Sequence, residues 1–179
     1  MATRTLLTID DFERLPAEMA ENHELVDGEL VDVSGNDPEH NWLRDFLASL
    51  MRPIIRERQL GRVIAEQEYD FQGNAHGPDV SFFSNEKLSF LDRRKRVQRF
   101  VPDLAIEIAS PSDTYTGLLR KKDRYLAAGT KEVWLISPET REVAIYPQNC
   151  ILRGSDELTT LLIPGFSITI ERLFAEAEA

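Results

Sequence analysis

The sequence has 179 residues, of which 42% are hydrophobic and 29% charged, enough for one folded domain over residues 1–179 with a buried core. No window approaches the roughly 20 continuous apolar residues of a membrane span, and the opening segment MATRTLLTIDDFERL lacks the apolar core of a signal peptide. The single Cys150 excludes an internal disulfide or a cysteine zinc site. We therefore expect a cytoplasmic protein. The net charge of −10 disfavours long-range attraction to polyphosphates.

The first third of the chain predicts a short helix, a hairpin and a long helix. Thr8 is placed to cap the opening helix. The segment HELVDGELVDV, residues 23–33, predicts two strands around a tight Asp27-Gly28 turn. Behind Asp37-Pro38, apolar residues recur at helical spacing up to residue 58, and Pro53 is expected to kink this helix or start a new turn.

The remainder predicts strands and two helices. Strand patterns cover residues 62–71, 79–83, 104–109, 131–136, 142–146 and 157–163. Helical patterns cover residues 115–128, ended by Gly129, and residues 170–177. The order is an α-β-β-β-α-β core with a hairpin before it and a meander after it, so we expect an α+β fold with a mixed sheet.

The loop between the strands at 79–83 and 104–109 carries the densest basic run, RRKR. Residues 87–124 contain ten Lys or Arg against five Asp or Glu, so this stretch is positive in an otherwise acidic chain. The run itself consists of Arg93, Arg94, Lys95 and Arg96. These residues are candidates for nucleic-acid contact, and the alternative is a solvated surface.

Two carboxylates lie within or beside apolar strands. Glu107 stands inside LAIEIA, and Asp79 opens DVSFF directly after Gly77-Pro78. Because burying an unpaired carboxylate costs several kcal/mol, such a group is protonated, paired or bound to metal. Two hard oxygen ligands suit Mg²⁺ or Mn²⁺ better than zinc. The alternative is that Glu107 pairs with a basic side chain and Asp79 caps a turn.

The order of these elements and residues resembles the PD-(D/E)XK nuclease superfamily and, more narrowly, the Uma-two family of restriction-endonuclease-like proteins. The resemblance runs from about residue 8 to 147 through ELVDGEL at 24–30, His40, PDVS at 78–81, EIASPS at 107–112, Lys121 with Tyr125, and AGTKEVWLI at 128–136. A single short motif would carry no weight, but segments in this order are specific.

The resemblance implies metal-assisted phosphodiester hydrolysis, with Asp79 and Glu107 as metal ligands and catalytic residues. The superfamily's lysine would stand at Ala109, so the resemblance implies that this role has moved to Lys121 on the next helix, with Lys122 as the neighbouring alternative. Tyr125 is four residues from Lys121 and shares its helix face.

The resemblance also makes Glu24 and His40 candidates for supporting the site or contacting substrate. The alternatives are a hairpin salt bridge for Glu24 and a surface or core histidine for His40.

Three functions fit these observations. The first is a Mg²⁺-dependent DNA endonuclease, for which we expect a homodimer because cutting a duplex needs two sites. The second is an inactive nuclease-fold module that binds nucleic acid or protein. The third is a hydrolase of another phosphate ester. The sequence retains an acidic pair and a lysine, which favours an enzyme, but fold alone cannot choose a substrate.

Overall fold

The computed structural model describes residues 6–33 and 36–176. Its α-helices are Ile9–Glu13 (α1), Ala17–Ala20 (α2), Pro38–Glu57 (α3), Tyr115–Ala128 (α4) and Ile170–Ala175 (α5), and a 3₁₀ helix covers Asn85–Phe90. The strands are His23–Val26 (β1), Glu29–Asp32 (β2), Gly61–Ala65 (β3), Glu68–Phe71 (β4), Asn74–His76 (β5), Val80–Ser84 (β6), Val97–Gln98 (β7), Leu104–Ile108 (β8), Glu132–Ser137 (β9), Glu142–Tyr146 (β10), Cys150–Arg153 (β11), Glu157–Thr159 (β12) and Ser167–Thr169 (β13). Over these two described stretches, no helix is long and apolar enough to cross a membrane.

Two sheets organise the molecule. One has six strands in the order β11-β10-β9-β8-β6-β3, and the other has five in the order β2-β1-β5-β4-β7, while β12 and β13 pair separately. Strand β8 is antiparallel to β6 and parallel to β9, with α4 as the connection between β8 and β9. Every residue of β8 is buried, as expected of a strand covered on both faces. The predicted α+β class with a C-terminal meander is confirmed, but the third strand of the meander is β11, and the strand expected at 157–163 pairs with β13 in a separate sheet.

Helix α3 covers one face of the six-stranded sheet. It begins at Asp37, whose side chain accepts a hydrogen bond from the amide of His40 at 2.8 Å. Its buried face carries Leu43, Leu47, Met51 and Ile55, which join the largest core cluster. Pro53 lies on the exposed side and the helix continues through it to Glu57, so Pro53 does not start a new helix.

The opposite face of β8 turns toward α4 and the five-stranded sheet. Because side chains alternate along a strand, Ile106 and Ile108 enter the core beneath α3, whereas Ala105 packs in a second cluster on the α4 side. This second cluster includes Tyr69 from β4 and Tyr125 from α4. Glu107 shares the face of Ala105 and therefore points between the two sheets.

The predicted strand over residues 62–71 is wrong in one respect. It is two strands, β3 and β4, which belong to different sheets. The chain changes direction at Glu66, whose φ of 54° lies in the left-handed region. The predicted strand at 157–163 is also shorter and ends at Thr159. The short elements α2, β5, β7, β11 and β13 were not predicted, since they carry too few residues to show a period. The end of the helix predicted at 170–177 lies outside the described residues.

Candidate active site

The pairing of β6 with β8 brings Asp79 and Glu107 together. Val80 lies opposite Ile106 in this antiparallel pair, so Asp79 and Glu107 are opposed at the next position and project from the same face. Oδ2 of Asp79 accepts a hydrogen bond of 2.6 Å from the backbone amide of Ile108. Both carboxyl groups are buried, Glu107 with 4% of its surface exposed and Asp79 with 8%.

Helix α4 contributes Lys121 to this pair. Nζ of Lys121 lies 3.3 Å from Oε2 of Glu107 and 3.2 Å from a carboxylate oxygen of Glu24. Lys122 turns away: its ammonium pairs with Asp123 at 2.5 Å and lies 4.7 Å from the centre of the Tyr146 ring. Of the two candidate lysines, Lys121 is the one at the carboxylates.

Glu24 reaches the site from the other sheet. Because Leu25 on β1 pairs with Ala75 on β5, Glu24 stands opposite His76. Nδ1 of His76 lies 2.9 Å from Glu24, and the amide of Gly77 donates to Glu24 at 3.1 Å. Sequence reasoning missed His76, and its place three residues before Asp79 was the one available signal.

His40 and Tyr125 each support one carboxylate. Nε2 of His40 lies 3.1 Å from Oδ1 of Asp79, while its buried Nδ1 has no hydrogen-bond partner among the described residues. The hydroxyl of Tyr125 donates to Oε1 of Glu107 at 2.6 Å, and its ring stacks on Phe71 with centroids 4.1 Å apart. The acidic pair, Lys121 and the three supporting candidates that the sequence singled out therefore converge in the structure.

The carboxylates ionise under different influences. Burial raises the pKa of Glu107 to about 8, and the charges of Asp79 and Glu24 add to this, against the opposing effects of Lys121 and Tyr125. Burial also disfavours the charged form of Glu24, but Lys121 and the hydrogen bond from His76 outweigh it and lower the pKa of Glu24 to about 2. The single positive charge of Lys121 therefore does not compensate the carboxylates of Glu24, Asp79 and Glu107.

The remaining groups respond to the same charges. Burial disfavours the ammonium of Lys121, yet the neighbouring Glu107 and Glu24 raise its pKa above the ordinary value, so it stays protonated. Burial likewise disfavours the charged His40 ring, but the hydrogen bond to Asp79 and its charge raise the pKa of His40. Burial and the charge of Glu107 hold the pKa of Tyr125 well above its usual range.

The donor set at Asp79 and Glu107 suits a hard divalent cation. Among the described residues no group of three or more His, Cys, Asp or Glu forms a complete metal site. Two carboxylates with the remaining positions taken by water and substrate oxygens is the coordination that Mg²⁺ favours.

The site lies on the floor of a cleft of about 790 Å³. The lining acidic residues outnumber the basic ones, and they are Glu24, Asp27, Asp32, Glu66, Glu68, Asp79, Glu107 and Asp113. The lining Lys and Arg residues are Arg120, Lys121 and Arg124, all from α4. Arg124 pairs with Asp27 of the hairpin turn at 2.5 Å, whereas Arg120 has no charged partner within residues 6–33 and 36–176. Arg120 is therefore the positive charge in the cleft that is most accessible to a polyanionic substrate.

The basic run divides into exposed and internal residues. Arg93, Arg94 and Lys95 are exposed. Arg96 is partly buried, pairs with Glu68 at 2.5 Å and lies 4.3 Å from the centre of the Phe12 ring. Arg96 therefore serves the packing between the helical N-terminus and the five-stranded sheet, which removes it from the set of free cations.

A mixed sheet that places an acidic pair on neighbouring strands, with a lysine from the following helix, defines a restriction-endonuclease-like fold. The chain belongs to the Uma2 family, described as "Putative restriction endonuclease", whose model matches residues 9–171.

A solved structure shares the architecture. A protein from Anabaena variabilis ATCC 29413, described as "a putative nuclease belonging to DUF820", superposes with a TM-score of 0.83 and 23% sequence identity, covering 96% of this chain and 99% of that one. At this identity the likeness shows the fold. No curated protein matches the chain.

Proposed function

We propose that this protein is a divalent-metal-dependent DNA endonuclease. The convergence of Asp79, Glu107 and Lys121 carries the proposal, because an acidic pair beside one fixed ammonium suits hydrolysis of an anionic ester. Membership of a family of restriction-endonuclease-like proteins supports a nuclease over other phosphate-ester hydrolases.

Asp79 and Glu107 would hold Mg²⁺ or Mn²⁺. When bound, the metal supplies polarisation of the phosphoryl group and a water of lowered pKa. The amide of Ile108 and His40 fix the two oxygens of Asp79, and Tyr125 fixes one oxygen of Glu107. Ligands oriented in this way bind metal with less loss of side-chain entropy. Lys121 would stabilise negative charge that develops on the phosphate in the transition state.

The DNA backbone would contact Arg120 in the cleft and Arg93, Arg94 and Lys95 on the loop. Arg120 is exposed and lines the cleft, and Arg93, Arg94 and Lys95 are exposed on the loop, where Lys95 lies 4.0 Å from Glu13. Because acidic residues dominate the cleft lining, binding should depend on the divalent cation as well as on these side chains.

Cleavage of supercoiled plasmid with Mg²⁺ or Mn²⁺, compared with EDTA, tests the proposal. Glu107→Gln and Asp79→Asn should abolish nicking, whereas Glu139→Gln, an exposed acid on a turn, should leave it unchanged. Metal-dependent DNA binding without any cleavage would instead identify an inactive binding module. Cleavage of small phosphate esters but not of DNA would identify the other hydrolase.

A cytoplasmic homodimer is part of the proposal. Strands β2 and β11 are sheet edges whose backbone groups a second copy could cover. Two copies would also supply the two sites needed to cut both strands. Cell fractionation tests the location.

A further inference from the structure

His76 is a buried polar residue for which the proposed chemistry has no direct use. Only 1% of its surface is exposed, and its ring packs edge-on against Tyr125 with centroids 5.7 Å apart. Nε2 faces the guanidinium of Arg124 at 3.5 Å. Since a guanidinium offers only donors, we assign Nε2 as the acceptor and Nδ1 as the N–H that donates to Glu24.

Glu24 is held from three directions. His76 donates to one oxygen and the amide of Gly77 donates to the other, while Lys121 approaches the same carboxylate at 3.2 Å. Two of these donors are fixed by strand β5 and by the residue that follows it, so the carboxylate has little freedom to turn. Glu24 is therefore a fixed negative charge that contacts the same Lys121 ammonium as Glu107.

We propose that Glu24 and His76 form an anchor that holds the Lys121 ammonium at the site independently of Glu107, which makes His76 a positioning residue. The inference rests on the proposed function in its assignment of Lys121 and Glu107. Its geometric basis is that Lys121 touches two carboxylates, only one of which belongs to the acidic pair.

The anchor keeps the Lys121 ammonium in place when Glu107 binds a metal ion. An ammonium held by Glu107 alone would lose its partner whenever the oxygens of Glu107 bind a divalent cation, and the freed lysine side chain would then populate several rotamers. Glu24 does not face that competition, because His76 and Gly77 already fix its orientation. Lys121 therefore keeps Glu24 as a partner when Glu107 binds the metal.

Trace acetylation of the metal-free protein, read by mass spectrometry, tests the anchor. Lys122 is an internal control, because it bonds to Asp123 and makes no contact with Glu24 or His76. We expect the Lys121/Lys122 labelling ratio to rise about tenfold in Glu24→Gln, which removes a charge-assisted hydrogen bond, and at least about threefold in His76→Leu. Unchanged ratios in both variants would overturn the anchor.

His76→Asn separates positioning from packing. The Asn amide nitrogen can take the place of Nδ1 and still donate to Glu24, although it fills less of the buried space than the imidazole. If the hydrogen bond matters, Asn restores the parental ratio and Leu does not. If His76 only fills volume, Leu is the better substitute and Asn labels faster. Melting curves identify a variant that fails to fold, and Glu24→Gln, which is nearly isosteric, then carries the test.

Nuclease assays on the same variants keep this inference distinct from the proposed function. His76→Leu should lower kcat more than it changes KM, because it misplaces a group without removing a substrate contact. A further outcome is that the parent protein shows no nuclease activity while the Lys121 labelling ratio still changes in the Glu24 and His76 variants. That result would support the anchor and contradict the proposed nuclease function.

Discussion

At Lys121, carboxylates from two different sheets approach one ammonium. Its side chain is 21% exposed, so solvent screens these contacts only in part. Replacing Lys121 by Ala should reduce DNA hydrolysis about 10²-fold or more, the scale of losing one positioned electrostatic group. The affinity for Mn²⁺ should change much less, because lysine is not a ligand. Plasmid nicking and calorimetric Mn²⁺ titration measure the two effects.

Lys122→Ala is the matched control for that substitution. Its ammonium lies over Tyr146 and pairs with Asp123, away from the acidic pair. It should retain near-parental hydrolysis. Equal losses for the two alanine variants would contradict the role of Lys121.

The ionisation of Glu107 makes metal binding depend on pH. Burial raises the pKa of Glu107 to about 8, and a metal ligand must be deprotonated. Mn²⁺ affinity should therefore increase as pH rises from 6 toward 8, by up to about tenfold per pH unit, and level off above it. Because the Tyr125 hydroxyl lowers the pKa of Glu107, Tyr125→Phe should move the midpoint to higher pH. Affinity independent of pH in both proteins would contradict this ionisation.

Helix α4 carries Lys121 and is held at its start by one side chain. Oγ1 of Thr114 accepts a hydrogen bond from the amide of Gly117 at 3.1 Å. Thr114→Ala should cost about 1 kcal/mol in the free energy of unfolding, which corresponds to a melting temperature lower by roughly 2–4 °C for a domain of this size. Thr116→Ala, also exposed but not a cap, should change it little. Differential scanning calorimetry compares the two.

The element that sequence patterns described least well is the five-stranded sheet. Its strands are two to four residues long; the β1–β2 hairpin was predicted, but β4 was merged with β3, and β5 and β7 are too short for alternation to reveal them. Yet this sheet supplies Glu24 and His76, and β4 contributes Phe71 beneath Tyr125. His76, the partner that fixes Glu24, therefore comes from a strand that the sequence pattern did not reveal.

Across the whole molecule, a net charge of −10 leaves the basic loop as a local exception. Replacing Arg93, Arg94 and Lys95 together by Ala should weaken DNA binding for all sequences. It should also lower the slope of log affinity against log salt by up to about 0.9 for each phosphate that the variant no longer neutralises. Stability should hardly change, since exposed charges contribute little. Fluorescence anisotropy over a salt series measures the slope, and an unchanged slope would make the loop a solvated surface.

Arg96 is excluded from that variant for a physical reason. Arg96→Ala would leave Glu68 without its cation where burial already raises the pKa of Glu68, so loss of fold stability would obscure any effect on DNA.

The proposed homodimer concerns the molecule as a whole. Light scattering should give twice the chain mass of 20.5 kDa at micromolar concentration. A charged substitution at an edge, Ile151→Lys on β11, should shift this toward the monomer if that edge is the interface, because Ile151 is exposed and a buried lysine is costly. A mass of one chain for the parent would contradict the dimer.

The long elements, the acidic pair and the family could be predicted from the amino-acid sequence alone. Helix α4 ends at Gly129 as predicted, because its φ of 107° suits glycine. Asp79 and Glu107 were detectable because a carboxylate beside or within an apolar strand departs from a local pattern. The family resemblance then identified Lys121, Glu24, His40 and Tyr125, but without their partners.

Which of these groups meet depends on three-dimensional packing. The choice of Lys121 over Lys122 follows from which face of α4 turns toward the carboxylates, and that face is set by the packing of α4 against β9 and β4. The hydrogen bond between Glu24 and His76 joins residues 52 positions apart. The ion pair between Arg96 and Glu68 depends on how the basic loop packs. Such contacts are fixed by sheet register and helix packing over long sequence separations, and no local pattern in a single sequence encodes those distances.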